Sequence, residues 1–96
     1  MTEARFARVE GIRVEPVGSE WAAWSAASGE THLLNNESAA ILEVLDEFGP
    51  LQVTQVASQL AGDVGRTFAE LGSLIHIALL ALEHAGFVRR LDNAGP

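Results

Sequence analysis

Ninety-six residues support one domain, and 48% hydrophobic with 20% charged residues makes that domain globular rather than disordered. Thirteen acidic residues face six arginines and no lysine, a formal net charge of −7. Nucleic acids and anionic membrane surfaces are bound mainly through cationic side chains, so both are disfavoured as partners, and the lack of cysteine removes disulfide, thiolate and cysteine–metal chemistry.

In chain order, residues 1–9 read as a flexible N-terminus, and Met1-Thr2-Glu3-Ala4-Arg5 lacks the apolar stretch of a secretory signal. Ile12, Val14 and Pro16 alternate with Arg13, Glu15 and Val17, the pattern of a half-buried edge strand ending near Gly18. Glu20 to Ala26 is a second strand. Trp21 and Trp24 fall on its opposite faces because the side-chain period is two, so one tryptophan belongs to the core and the other is placed to lie on the outer face. Ala27-Ser28-Gly29 turns the chain, and Glu30 to Leu34 returns as a third strand.

Asn35-Asn36 stops that strand and supplies an N-cap. Ala40, Ile41, Val44, Leu45 and Phe48 then recur at helical spacing until Gly49-Pro50. Leu51 to Val53 is a connector, and Thr54 is the expected cap of a second helix over Val56, Ala57 and Leu60, broken at Gly62-Asp63-Val64-Gly65. The third helix is expected from Arg66 or Thr67 to about Ala85, with Gly86 as its cap. Phe87, Val88 and Leu91 make a short final strand, and residues 92–96 read as a disordered tail. The expected fold is α+β: an N-terminal three-stranded antiparallel sheet joined to a winged-helix-like bundle of three helices with a short C-terminal strand, a single domain over residues 10–91.

The third helix carries more apolar surface than one buried face needs. Leu71, Leu74, Ile75, Ala78 and Leu82 cluster on one side as a core stripe, and Ile77 and Leu80 lie off it. Those two residues either pack under the N-terminal sheet or line a groove between this helix and a strand edge. An incoming peptide could enter such a groove by strand addition.

Three segments carry a family resemblance: Ser28-Gly29-Glu30-Thr31-His32-Leu33-Leu34-Asn35, its continuation Ser38-Ala39-Ala40-Ile41-Leu42-Glu43-Val44-Leu45, and Leu82-Glu83-His84-Ala85-Gly86-Phe87-Val88. Together they resemble the PqqD-like family, which recognises the precursor peptides of ribosomally made, modified products. The Gly-Glu-Thr-His-Leu-Leu form is most similar to the subgroup called HPr-rel-A system PqqD-family peptide chaperones. The resemblance implies a leader-recognition module in which the leader pairs with the third strand and lies against the third helix. Carried onto this chain, it implies main-chain contacts on Thr31, His32, Leu33 and Leu34, with apolar contacts from among Leu74, Ile77, Leu80 and Ala81. The implied partners are a precursor peptide and a modifying enzyme, a radical enzyme or, for this subgroup, a kinase-like protein.

The residues themselves offer little chemistry. His76 and His84 stand eight residues apart, roughly 12 Å along a helix at about 1.5 Å per residue, too far to share a metal. Glu43, Asp46 and Glu47 form an acidic helix face that reads as solvated, and His32 reads as a solvated or pairing strand residue. Gly62-Asp63-Val64-Gly65 lacks the lysine and preceding strand of a phosphate loop, and Ser25, Ser28 and Ser38 have no base partner in the sequence. The expectation is a binder with no catalytic residues, metal or cofactor. The longest apolar run, Ile77 to Leu82, is too short to cross a bilayer, so a cytoplasmic location is expected. Two rival classes are a winged-helix DNA-binding regulator and a non-catalytic docking subunit of a larger enzyme. Against the first, the stretch from Thr67 to Ala85 holds no arginine or lysine to enter a major groove. An exposed strand edge also pairs readily with another copy of its own chain, so a homodimer through the same edge could mask the site.

Overall fold

Alternation of apolar and polar residues sets the first sheet. The computed structural model describes residues 4–64 and 68–91. Ile12–Val17 (β2), Glu20–Ser25 (β3) and Thr31–Leu34 (β4) form an antiparallel sheet in the order β2-β3-β4. Val17 pairs with Glu20 across Gly18-Ser19, and Gly18 takes the positive φ of 63° that a two-residue hairpin turn requires. One face carries Ile12, Ala23, Ser25 and Leu34, all buried, with Val14 and Trp21 packed at its margin. The other face carries Arg13, Glu15, Val17 and Leu33, all exposed. The two tryptophans divide as their spacing requires: Trp21 faces the core, and Trp24 lies outside with the Arg13 guanidinium 5.3 Å from its ring centre.

Asn35 converts β4 into α1, Asn36–Phe48. Its backbone stays extended while its side chain accepts the Ser38 amide at 2.8 Å, which satisfies one of the orphan donors of the first turn. Gly49 ends the helix at φ 80°, with its N–H on the Leu45 carbonyl. α1 touches the strand Arg5–Arg8, β3, β4 and both other helices, so it is buried on two sides rather than one. Leu42 is accordingly fully buried, whereas Phe48, which helical spacing assigns to the core stripe, is half exposed.

The remaining strands form a second sheet. Arg5–Arg8 (β1) lies between Leu51–Gln52 (β5) and Val88–Leu91 (β6), antiparallel to both. The expectation of a flexible N-terminus over residues 1–9 therefore fails at Arg5–Arg8. Phe6 is 2% exposed, and the Val9 N–H is bonded to the Phe87 carbonyl at 3.0 Å. A four-residue strand whose partners lie far along the chain has no local period to reveal it. The rest of the expected architecture, an N-terminal sheet with three helices and a final strand, is present.

Two helix boundaries also differ from expectation. Val53–Val64 (α2) begins one residue before Thr54, and its start is held by the Gln55 side chain accepting the Gln52 N–H at 2.8 Å, the return half of a capping box. The helix continues through Gly62 and Asp63 to Val64 instead of breaking at them; Gly65, Arg66 and Thr67 lie outside the described residues, as does the tail over residues 92–96. Phe68–Ala85 (α3) buries Leu71, Ile75, Leu79 and Leu82 against α1, α2 and β6. Leu74, expected in that stripe, is 42% exposed, and Leu79, absent from it, is fully buried. The core side of α3 is set by three neighbouring elements, which turn it away from Leu74.

Phe6 and Phe87 are the largest buried side chains and belong to one core with α1. Phe6→Ala should cost about 3–5 kcal/mol, a large share of the roughly 5–15 kcal/mol that holds a domain together. Urea unfolding followed by circular dichroism measures it. A loss below about 1 kcal/mol would mean that β1 is dispensable.

Candidate functional site

The two outer strands of the first sheet present unequal edges. The Ser25 N–H donates to the Glu30 carbonyl at 3.2 Å, which marks Ser25 and Glu30 as a hydrogen-bonded pair. Such pairs alternate with unbonded ones along an antiparallel ladder. With Trp24 opposite Thr31, Ala23 opposite His32, Ala22 opposite Leu33 and Trp21 opposite Leu34, the main-chain groups of His32 and Leu34 face β3. Those of Thr31 and Leu33 face outward at an uncovered edge.

The far edge is blunted. The Ala26 N–H bonds the Gly11 carbonyl at 3.1 Å, so the same alternation turns the main chain of Ile12, Val14 and Pro16 outward on β2. The Ile12 carbonyl is taken by the Arg8 guanidinium at 2.6 Å, and Pro16 has no N–H to offer. Proline and an arginine cap are devices that keep an edge from pairing. β4 carries neither.

Behind the β4 edge lies a groove of about 260 Å³. Its strand wall is His32 to Leu34, its helix wall is Ala81 and Ala85 of α3, and the buried Leu82 and Phe87 form its base. Phe87 is positioned by the end of α3. Its N–H bonds the Leu82 carbonyl at 2.9 Å and the Gly86 N–H bonds the Glu83 carbonyl at 3.1 Å, the two bonds of a Schellman motif, with Gly86 at φ 88°. The ring meets the His32 imidazole edge to face, 5.1 Å between centres at 90°. Asn35 and Ser38, joined by the helix cap, close one end of the groove.

An apolar depression of about 230 Å³ lies further along α3, toward its N-terminal half. Leu71, Leu74 and Ile75 face Ile41 and Ala40 of α1 and Leu60 of α2, with Asn36 and Glu37 at its margin. Ile77 and Leu80 do not pack under the sheet: they are 64% and 39% exposed. Ile77 lies four residues from Ala81 and shares its face. Leu80 is rotated about 100° from Ala81 and points to a different side.

Of the residues singled out in the sequence, His32, Leu33, Leu34 and Ala81 meet in the groove, and Leu74 lines the neighbouring depression. Thr31 contributes an edge, Ile77 an exposed flank, and Leu80 neither. The sequence reading missed Phe87, Ala85, Asn35 and Ser38 as groove residues. The signals were present, since Asn35 is legible as a cap and Phe87 as the apolar residue that follows a C-terminal glycine.

The polar chemistry near the groove is sparse. His32 Nε2 lies 3.4 Å from Glu30 Oε2, with Glu30 largely exposed and His32 partly buried. His76 and His84 are exposed on α3, and Glu43, Asp46 and Glu47 are exposed on α1. Among the described residues, no three or more histidines and carboxylates are grouped closely enough to hold a metal ion, and no helix is long and apolar enough to cross a membrane.

No family model and no curated protein matches the chain. Among solved structures it is similar to lasso peptide synthetase B1 complexed with the leader peptide, with a TM-score of 0.69 at 20% sequence identity, over 88% of this chain and 96% of that one. At that identity the likeness is one of fold.

Amide hydrogen exchange tests the edge directly. The Thr31 and Leu33 amides should exchange rapidly and those of His32 and Leu34 slowly, since only the second pair is bonded to β3. Equal protection of all four amides would mean that the edge is already covered.

Proposed function

We propose that this chain is a non-catalytic recognition module of the PqqD-like type that binds the leader segment of a ribosomally made precursor peptide and presents it to a modifying enzyme. The observation that carries the reading is the pairing of an uncapped edge on β4 with a groove whose helix wall and base are apolar, in a sheet whose far edge is blunted at Ile12 and Pro16. The fold it shares with a protein solved in complex with its leader peptide supports the same reading.

The binding mode is strand addition. An extended peptide bonds the outward N–H and C=O groups of Thr31 and Leu33. Each such bond contributes a net ~0.5–1.5 kcal/mol and is blind to sequence. Selectivity comes from side chains. Alternate residues of the added strand point to the helical side of the sheet, where Ala81, Ala85 and Phe87 form an apolar wall and small alanines leave room for larger peptide side chains. Further along the peptide, Leu74 and its depression take another apolar residue, with Ile77 covering the strand from the flank. The residues between them project beside Leu33 and Trp24 on the outer face. That surface is left for the modifying enzyme, radical or kinase-like.

Two variants test the mode against the leader segment of a short precursor encoded beside this chain. Ala81→Arg should fill the groove and weaken binding by at least about tenfold, or ~1.4 kcal/mol, while the thermal midpoint hardly moves because Ala81 is exposed. Leu33→Pro should weaken binding by removing an outward donor that β3 does not use. Calorimetric titration reads both, and retained helical dichroism verifies folding. Unchanged affinity in the two variants would reject this groove as the binding site.

A further inference from the structure

The depression is apolar, the groove has an apolar helix wall and base beside the neutral polar groups of Asn35 and Ser38, and the carboxylates nearest to them share one sign. Glu30 stands just before β4 with its carboxylate 3.4 Å from the groove-lining His32. Glu37, in the first turn of α1, lines the margin of the apolar depression. No arginine lines either concavity among the described residues. Arg8 is held on two main-chain carbonyls and Arg13 lies over Trp24 beside Glu15. Arg90 is bound to Glu83 at 3.1 Å over the Phe6 ring. The whole chain carries −7, so the long-range field at the groove has the same sign as the two local carboxylates.

Resting on the peptide-binding reading above, we propose that the segment selected here is an apolar strand bracketed by cationic side chains, and that acidic segments are rejected. β4 spans roughly 13 Å at about 3.3 Å per residue, so a strand laid along it brings lysines or arginines about five to seven residues apart near Glu30 and Glu37. Both carboxylates are exposed, which makes each pairing modest and salt-sensitive. Repulsion of an acidic strand by the same two groups adds to the discrimination.

Three synthetic peptides with one shared apolar centre, bracketed by lysines, serines or glutamates, test this against the isotope-labelled full chain by NMR titration at low and high salt. The lysine form should bind about tenfold tighter than the glutamate form at low salt, and the gap should narrow at high salt. Shifts should concentrate in Thr31–Leu34 and Ala81–Ala85. The double variant Glu30→Gln, Glu37→Gln should lose most of the preference while still binding the serine form. A glutamate form that binds the same residues as tightly as the lysine form overturns the charge selection and leaves the peptide reading standing. If none of the three perturbs the groove, the peptide reading fails and the charge selection with it.

Discussion

A strand bonded on one side only must leave every second N–H and C=O without a partner inside its own sheet, and β4 is such a strand. Which groups are left is decided by the ladder with β3, whose register is pinned at Ser25–Glu30. That register turns the main chain of Thr31 and Leu33 outward and sends the side chains of His32 and Leu34 toward α3. A one-residue slip would exchange the two sets and bury Leu33 in place of Leu34. The register is held because only one face of the sheet is apolar enough to meet α1, so the geometry of the edge follows from the core.

The groove has a similar origin. α3 is buried by α1, α2 and β6 on one side, and none of these reaches the surface around Ile77 and Ala81. A domain of this size lacks the material to cover every side of an apolar helix. The uncovered strip adjoins the uncovered strand edge because the Schellman turn after α3 brings Phe87 against His32. Two incomplete surfaces thus meet along one line, and the proposed extended peptide would supply what both lack: main-chain partners for the edge and side chains for the strip.

Much of this was legible in the sequence, and the divide between what was and was not is physical. β2, β3 and β4 follow from period-two alternation and their turn residues, α1 from Asn35 and Gly49, and the end of α3 from Gly86. These are local signals. β1 and β5 exist only by pairing with residues far away, and nothing in Arg5–Arg8 announces it. The apolar excess of α3 was visible, but its bearing was not: Leu74 and Leu79 exchange roles because contacts with three other elements choose the buried side. Strand parity, which singles out Thr31 and Leu33, needed the register itself.

The placement of β1 bears on how the molecule is assembled in time. Arg5–Arg8 is sandwiched between a strand from mid-chain and Val88–Leu91, with Phe6 opposite Arg90. Pairings of such large sequence separation carry a high loop-closure cost and slow folding. During synthesis β5 is available to β1 well before β6, so the sheet is complete only once Val88–Leu91 has been made. Until then the Val9–Phe87 clasp and the Phe87 base of the groove are missing. The groove beside β4 is therefore completed by the final segments of the domain to be made.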